Sequence, residues 1–214
     1  GDSGAGKTTL TKALVRTQDL SAGQILFEDH DIARLDAQTY RSVVGLALST
    51  DELFKGKVEE NITMGRSMSY EDVERALHLA CLEEAVLDLP DGLKTPITSA
   101  GLGLPQGMVR RLMIARAVIG EPRLLILDEP FNGIEDPVQK TLADRLYGHD
   151  AWTLVSAADD NPMAVRRADQ VLVLEQGRVV WRGASDQLHG ESDDFLQRRF
   201  PRLVSTMQGD GVPS

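Results

Sequence analysis

The segment Gly1-Asp2-Ser3-Gly4-Ala5-Gly6-Lys7-Thr8-Thr9 fits the pattern G-x-x-x-x-G-K-[ST] from its first residue. Glycines let successive backbone N–H groups curl around a phosphate, and the helix that follows such a loop points its positive dipole end at the same anion. Lys7 is expected to reach the β- and γ-phosphates of a nucleotide, and the Thr8 hydroxyl to ligate Mg²⁺. The pattern implies a site for ATP or GTP.

A second acidic motif follows far downstream, Leu124-Leu125-Ile126-Leu127-Asp128-Glu129-Pro130. Four apolar residues in a row are what a strand buried on both faces of a parallel sheet requires, and Pro130 ends it. Asp128 then emerges at the strand's C-terminal end, where α/β sheets bind their ligands, and can hold Mg²⁺ through water. Glu129 is the candidate base that polarises an attacking water.

The elements that must position these groups read as an α/β core with a helical insertion. Lys7 to Arg16 is expected to be a helix, Gly23 to Phe27 a strand, and Val43 to Leu48 a buried strand. From Val58 to Pro90 the pattern is helical. Tyr70 to Ala85 carries Val73, Ala76, Leu77, Ala80 and Cys81 on one face behind a Ser69/Asp72 capping box. A helix over Pro105 to Ile119, with Leu112, Ala115 and Ile119 inward, leads into the acidic strand. Pro137 opens another helix, Trp152 to Ala157 is a strand, and Val171–Leu174 pairs with Val179–Arg182 across Gln176-Gly177 as a hairpin. Residues 1–48 and 122–190 would form the core, 49–121 the helical subdomain, and 208–214 a frayed polar tail.

The chain has 214 residues, enough for one large domain or a domain with a subdomain, and a net charge of -10. That charge argues against a nucleic-acid partner, which needs clustered Lys and Arg. The pairs Arg110-Arg111, Arg166-Arg167 and Arg198-Arg199 are expected on solvated helix faces. A single cysteine, Cys81, excludes an internal disulfide and suits the cytoplasm. No uncharged apolar run approaches the ~18 residues of a membrane span, so this piece is expected to be soluble. A phosphate loop normally follows a buried strand, and with no initiator Met before Gly1 the chain is expected to continue upstream.

With phosphate loop, helical insertion, acidic strand and closing hairpin in this order, the chain resembles the nucleotide-binding domain of an ATP-binding cassette (ABC) transporter. Three stretches resemble the exporter branch: Asp31 to Asp36, Leu53 to Ile62, and Leu89-Pro90-Asp91-Gly92. The resemblance implies a phosphate-loop ATPase fold and Mg-ATP as ligand. It also implies a head-to-tail dimer with a second nucleotide-binding domain, identical or not, around two ATP molecules. A transmembrane domain fused upstream and a place on the cytoplasmic face of a membrane are implied as well.

Several positions depart from the family pattern. Leu104-Pro105-Gln106-Gly107-Met108 stands where the family has Leu-Ser-Gly-Gly-Gln, a segment that holds the γ-phosphate bound to the opposite subunit; Ala115-Arg116-Ala117 keeps the register. Pro105 offers neither hydroxyl nor N–H, and Gln106 adds bulk. Ser49 falls where the family carries a glutamine that senses Mg²⁺ and water, and is too short to reach as far. Ala158 falls where a histidine contacts the γ-phosphate. His30, His78, His149 and His189 are not placed to substitute, and Asp159 and Asp160 bring negative charge there. Ser99 replaces a glutamate that helps couple exporters to their membrane domain. Phe131-Asn132-Gly133-Ile134-Glu135 matches the D-loop, with Glu135 for Asp.

Phosphoryl transfer to water depends on positioning and on charge stabilisation, so each lost donor is expected to cost on the order of 10² to 10³ in rate. Gly4, Gly6, Lys7, Thr8 and Asp128 are intact, so binding is expected to outlast turnover. In a homodimer both composite sites would be impaired; a heterodimeric partner could restore only the signature facing this chain's own site. The implied function is an exporter ATPase that hydrolyses slowly. The alternatives are an ATP-binding regulatory subunit or decayed paralogue without useful turnover, and a non-transport cassette ATPase. The acidic charge and the short span from Ser49 to Leu104 oppose the last.

Overall fold

The computed structural model describes residues 4–158 and 160–209. In chain order it contains α1 (Lys7–Leu14), β1 (Leu26–Phe27), β2 (His30–Asp31), α2 (Ala37–Ser42), β3 (Val44–Ala47), β4 (Gly56–Lys57), α3 (Val58–Thr63), α4 (Tyr70–Leu79), α5 (Glu83–Leu87), β5 (Pro96–Ile97), α6 (Gln106–Val118), β6 (Leu124–Asp128), α7 (Asp136–Tyr147), β7 (Thr153–Ala157), α8 (Pro162–Arg167), β8 (Val171–Glu175), β9 (Arg178–Gly183), α9 (Asp193–Arg199) and α10 (Pro201–Gly209). The expected α/β architecture is present. Three parallel strands run in the order β3-β6-β7, and antiparallel pairs β1-β2, β4-β5 and β8-β9 stand apart from them.

The apolar run of β6 explains its central place, since all five of its residues are buried. Its side chains alternate between two faces. Leu124 and Ile126 join Val15 beneath α1, whereas Leu125 and Leu127 join the large core formed with α3, α4, α6 and α7. Helix α6 lies very close to β3. A Cβ at Gly45 would collide with the Ala117 carbonyl and with Pro122 Cγ, so only glycine admits this approach.

Parallel register carries three loops to one edge. Ala47 stands beside Leu127, and Asp128 beside Ala157. The residues following β3, β6 and β7, namely Leu48-Ser49, Glu129-Pro130 and Ala158, therefore emerge together at the C-terminal end of the sheet, where open α/β sheets bind ligands.

Several expected elements differ in extent. The strand over Gly23 to Phe27 shrinks to Leu26–Phe27, because Ser21 to Gln24 is exposed and Gly23 turns at φ +85°. Val43 is the C-cap of α2 rather than strand, and Val44 and Leu46 are only partly covered. The helical span from Val58 to Pro90 divides into α3, α4 and α5. The Ser69/Asp72 capping box is present, with Asp72 N–H donating to Ser69 Oγ at 3.1 Å and Ser69 N–H to Asp72 Oδ2 at 3.0 Å.

Pro105 is the N-cap of α6 rather than its first residue. Gln208 and Gly209, expected in a frayed tail, close α10, and 210–214 lie outside the described residues. Around the short helices α8, α9 and α10, Val165, Leu188, Leu196, Phe200 and Leu203 bury with Val173 as a second cluster.

Candidate nucleotide site

Of the phosphate-loop residues, Gly1, Asp2 and Ser3 lie outside the described residues. Gly4 and Gly6 take φ of +82° and +105°, a backbone that glycine adopts without steric cost. Gly6 is the N-cap of α1 and lacks a side-chain cap, so the first N–H groups of the helix face outward beside Lys7, Thr8 and Thr9. Ala5 is buried, and its carbonyl accepts from Gly177 N–H at 3.0 Å. The β8-β9 turn, with Gln176 and Gly177 at φ +48° and +76°, thus braces the loop from below. The hairpin is legible from Gln176-Gly177 alone, whereas this contact arises only in the folded chain.

Asp128 is 2% exposed. Ser49, expected to reach less far than a glutamine, donates its hydroxyl to Asp128 Oδ2 at 2.7 Å. One lone pair is thereby used, and a carboxylate offers about four. No group of three or more His, Cys, Asp or Glu side chains able to cage a metal occurs among the described residues. This donor set fits Mg²⁺, which binds one or two carboxylates together with nucleotide phosphates and keeps several waters.

Glu129 follows with φ +51°, an uncommon backbone for a residue with a Cβ, and its N–H donates to the Ala157 carbonyl at 2.7 Å. Its carboxylate accepts from Asn132 Nδ2 at 2.8 Å. Asn132 stood in the sequence as a D-loop residue; its hold on Glu129 comes from the tight turn after Pro130.

Beside Glu129 opens a cleft of about 340 Å³ lined by Ala158, Asn132, Gln139, Asp160 and Arg202, among others. Ala158 therefore sits next to the candidate base, with no imidazole. Asp160 is not a bare negative charge as expected: it accepts from Arg202 N–H at 2.9 Å and lies 3.7 Å from Arg202 Nε. Asp159 lies outside the described residues, as does the His189 side chain. The other histidines are engaged elsewhere, His149 stacking on Trp152 at 4.0 Å, His78 meeting the Glu83 carboxylate and His30 the Glu28 carbonyl.

At the start of α6, Leu104 is partly buried, Pro105 and Gln106 are exposed, and Met108 is buried in the core. Gly107 touches the D-loop, since a Cβ there would lie 2.6 Å from the Gly133 carbonyl oxygen. Ser99 is exposed on a 3₁₀ turn whose Ala100 N–H donates to Leu53 O at 2.8 Å.

The arginine pairs are not simply solvated. Arg110 donates to the Leu48 carbonyl at 3.0 Å; burial lowers its pKa, while the charges of Asp128, Glu129 and Asp51 raise it. Arg111 donates to the Cys81 and Gly107 carbonyls, and Arg167 pairs with Asp144. Cys81 is half-buried against the core, and burial pushes its thiol up, as a packing role requires.

A glycine loop opening a helix, and a buried aspartate ending the middle strand of a parallel sheet, define the class of phosphate-loop nucleotide-binding proteins. The chain belongs to the ABC transporter family, which it matches over residues 1–132. It is 36% identical over 210 residues to the uncharacterized ABC transporter ATP-binding protein YfiC of Bacillus subtilis (strain 168), covering 94% of this chain and 34% of that protein. It is 35% identical over 192 residues to an ATP-dependent lipid A-core flippase of Xanthomonas oryzae pv. oryzae, covering 88% of this chain and 32% of the flippase. A solved bacterial Atm1-family ABC exporter with ATP bound superposes with a TM-score of 0.84 at 27% identity, over 97% of this chain and 36% of that one. The chain thus spans about a third of the length of these proteins.

Proposed function

We propose that this chain is the nucleotide-binding domain of an ABC exporter that binds Mg-ATP, dimerises around it with a second such domain and hydrolyses it slowly to drive transport. The observation that carries this reading is the meeting of Ser49, Asp128, Glu129 and Ala158 at one sheet edge, in a family whose exporter members this chain resembles over most of its length.

In this reading Gly1 to Thr9 cradle the phosphates, Lys7 clamps their charge, and Thr8 and Asp128 would hold Mg²⁺. When bound, Mg²⁺ neutralises charge on the phosphate oxygens. Glu129, freed from Asn132, accepts a proton from the attacking water. Slow turnover follows from Ala158, Pro105 and the buried Met108, which supply no donor to the γ-phosphate. Residues 1–48 and 122–190 serve as the core and 49–121 as the arm facing the partner, with Ser49 to Phe54 and Ser99 facing the membrane domain. That domain would be fused upstream, placing the chain at the cytoplasmic side of a membrane.

A second reading, a nucleotide-binding subunit that dimerises without useful turnover, draws on the same Ala158 beside Glu129. Titration of the full chain with ATP, alongside Lys7→Ala, tests the shared premise. Saturable binding that weakens at least tenfold in Lys7→Ala is expected, and a wild type that binds no ATP would overturn both readings.

A further inference from the structure

The loop between β3 and β4 is closed from both ends. Leu48 C=O accepts from Asp51 N–H at 3.2 Å, and Leu48 N–H donates to the Asp51 carboxylate at 2.7 Å. These reciprocal bonds make a tight turn with Ser49 at its second position. The Leu48 carbonyl also accepts from Arg110 Nη1 at 3.0 Å, which ties the turn to α6. Further along, Arg116 of the same helix donates to the Glu52 carbonyl at 3.3 Å and lies over the Phe54 ring at 5.6 Å. Helix α6 is itself fixed on the sheet by its close approach to Gly45. A rigid path therefore runs from α6 through the turn to the Ser49 hydroxyl, and from there over 2.7 Å to Asp128 Oδ2.

We propose that Ser49 and Arg110 are positioning residues for Asp128. Arg110 locks the Leu48–Asp51 turn, and the turn aims the Ser49 hydroxyl so that the Asp128 carboxylate keeps the orientation a divalent cation needs. This rests on the Mg-ATP reading above. The short Ser49 hydroxyl acts through the aspartate rather than on the cation itself. Hydrogen-bonded partners of a metal-binding carboxylate fix its rotamer, and losing one typically costs 10- to 100-fold in metal affinity. Ser49 is exposed and its side chain bonds Asp128, so its removal takes one hydrogen bond and little packing.

The test measures ATP binding by the full chain as free Mg²⁺ is varied, with a parallel titration in EDTA. Ser49→Ala is expected to raise the Mg²⁺ concentration for half-maximal binding at least tenfold while leaving ATP affinity in EDTA unchanged. Ser49→Thr is expected to return it to within about twofold of wild type. Arg110→Gln is expected to reproduce the Ser49→Ala shift, and the double variant to be no worse than either alone, because both act through one hydrogen bond. Ser49→Ala with wild-type Mg²⁺ dependence would overturn the proposal, as would equal losses with and without Mg²⁺, which mark a general structural defect. A wild type that binds no ATP under either condition would instead remove the nucleotide reading beneath it.

Discussion

Replacing Gly107 by alanine separates two explanations for a glycine at the start of α6. If the position serves only the approach of a nucleotide, alanine leaves the isolated fold untouched or improves it, since Gly→Ala in a helix gains up to about 1 kcal/mol. The structure gives the glycine a second duty. An added Cβ lies 2.6 Å from the Gly133 carbonyl oxygen and 3.3 Å from Ile134 Cα, both backbone atoms. Relief requires a shift of roughly 1 Å between α6 and the D-loop. Gly133 meets the Gln106 side chain just as closely, its own Cβ position lying 2.8 Å from that amide carbon, so the two segments interlock. Overpacking of this kind costs about 1–3 kcal/mol. Because the clash falls on backbone, the upper end of that range applies; less the helix gain, the net loss is about 2 kcal/mol, a fall in Tm of roughly 4–8 °C for a chain this long. Thermal unfolding without nucleotide is the assay, with Gly190→Ala as control, where a Cβ meets nothing within 4 Å. A Gly107→Ala protein that melts at or above the wild-type temperature would refute the reasoning.

Gly45→Ala should be at least as costly, by about 2–3 kcal/mol, because the clash falls on the Ala117 carbonyl and Pro122; a urea melt with an unchanged midpoint would contradict the close seating of α6. Burial pushes the Tyr147 phenol from 10.0 up to about 12, with the nearby Ser156 hydroxyl only partly offsetting it; neither hydroxyl makes a hydrogen bond of normal geometry. Its folded pKa is raised, so this contribution is intact below pH 10 and fades as pH climbs toward 12, by up to roughly 3 kcal/mol. Tyr147→Phe should flatten that alkaline slope, and equal slopes in both proteins would show that the phenol is not the cause. Ala158→His sets an imidazole in the cleft beside Glu129, and one added donor should raise phosphate release at saturating Mg-ATP by tenfold or more. An unchanged rate would mean that position 158 does not face the reacting phosphate.

The parts legible in the sequence were those set by local pattern. The apolar run into Asp128, the Ser69/Asp72 cap on α4, the helix opened by Pro137 and the Gln176-Gly177 hairpin each carry their own signal within a few residues. The phosphate loop is equally local, as is the register of α6 before β6. What escaped depends on which loops a parallel sheet brings together. Ser49 and Asp128 are far apart in sequence and meet because Ala47 pairs with Leu127. Arg110 looked like part of a solvated pair because helical periodicity does not reveal that the Leu48 carbonyl waits across from it. Asn132 meets Glu129 through a turn that puts Glu129 at positive φ, a conformation its residue type does not advertise. Helices α8 to α10 are short and gain their stability from a shared cluster rather than from propensity.

The edge built by Asp128 and Glu129 is proposed to turn over ATP despite the donors it lacks. Phosphate release by the full chain with saturating Mg-ATP, measured beside Glu129→Gln under conditions where both bind nucleotide, tests it most directly. Slow but measurable release by the wild type is expected, and it disappears in Glu129→Gln while ATP binding persists. Release no faster from the wild type than from Glu129→Gln would contradict it and leave a domain that binds nucleotide without hydrolysing it.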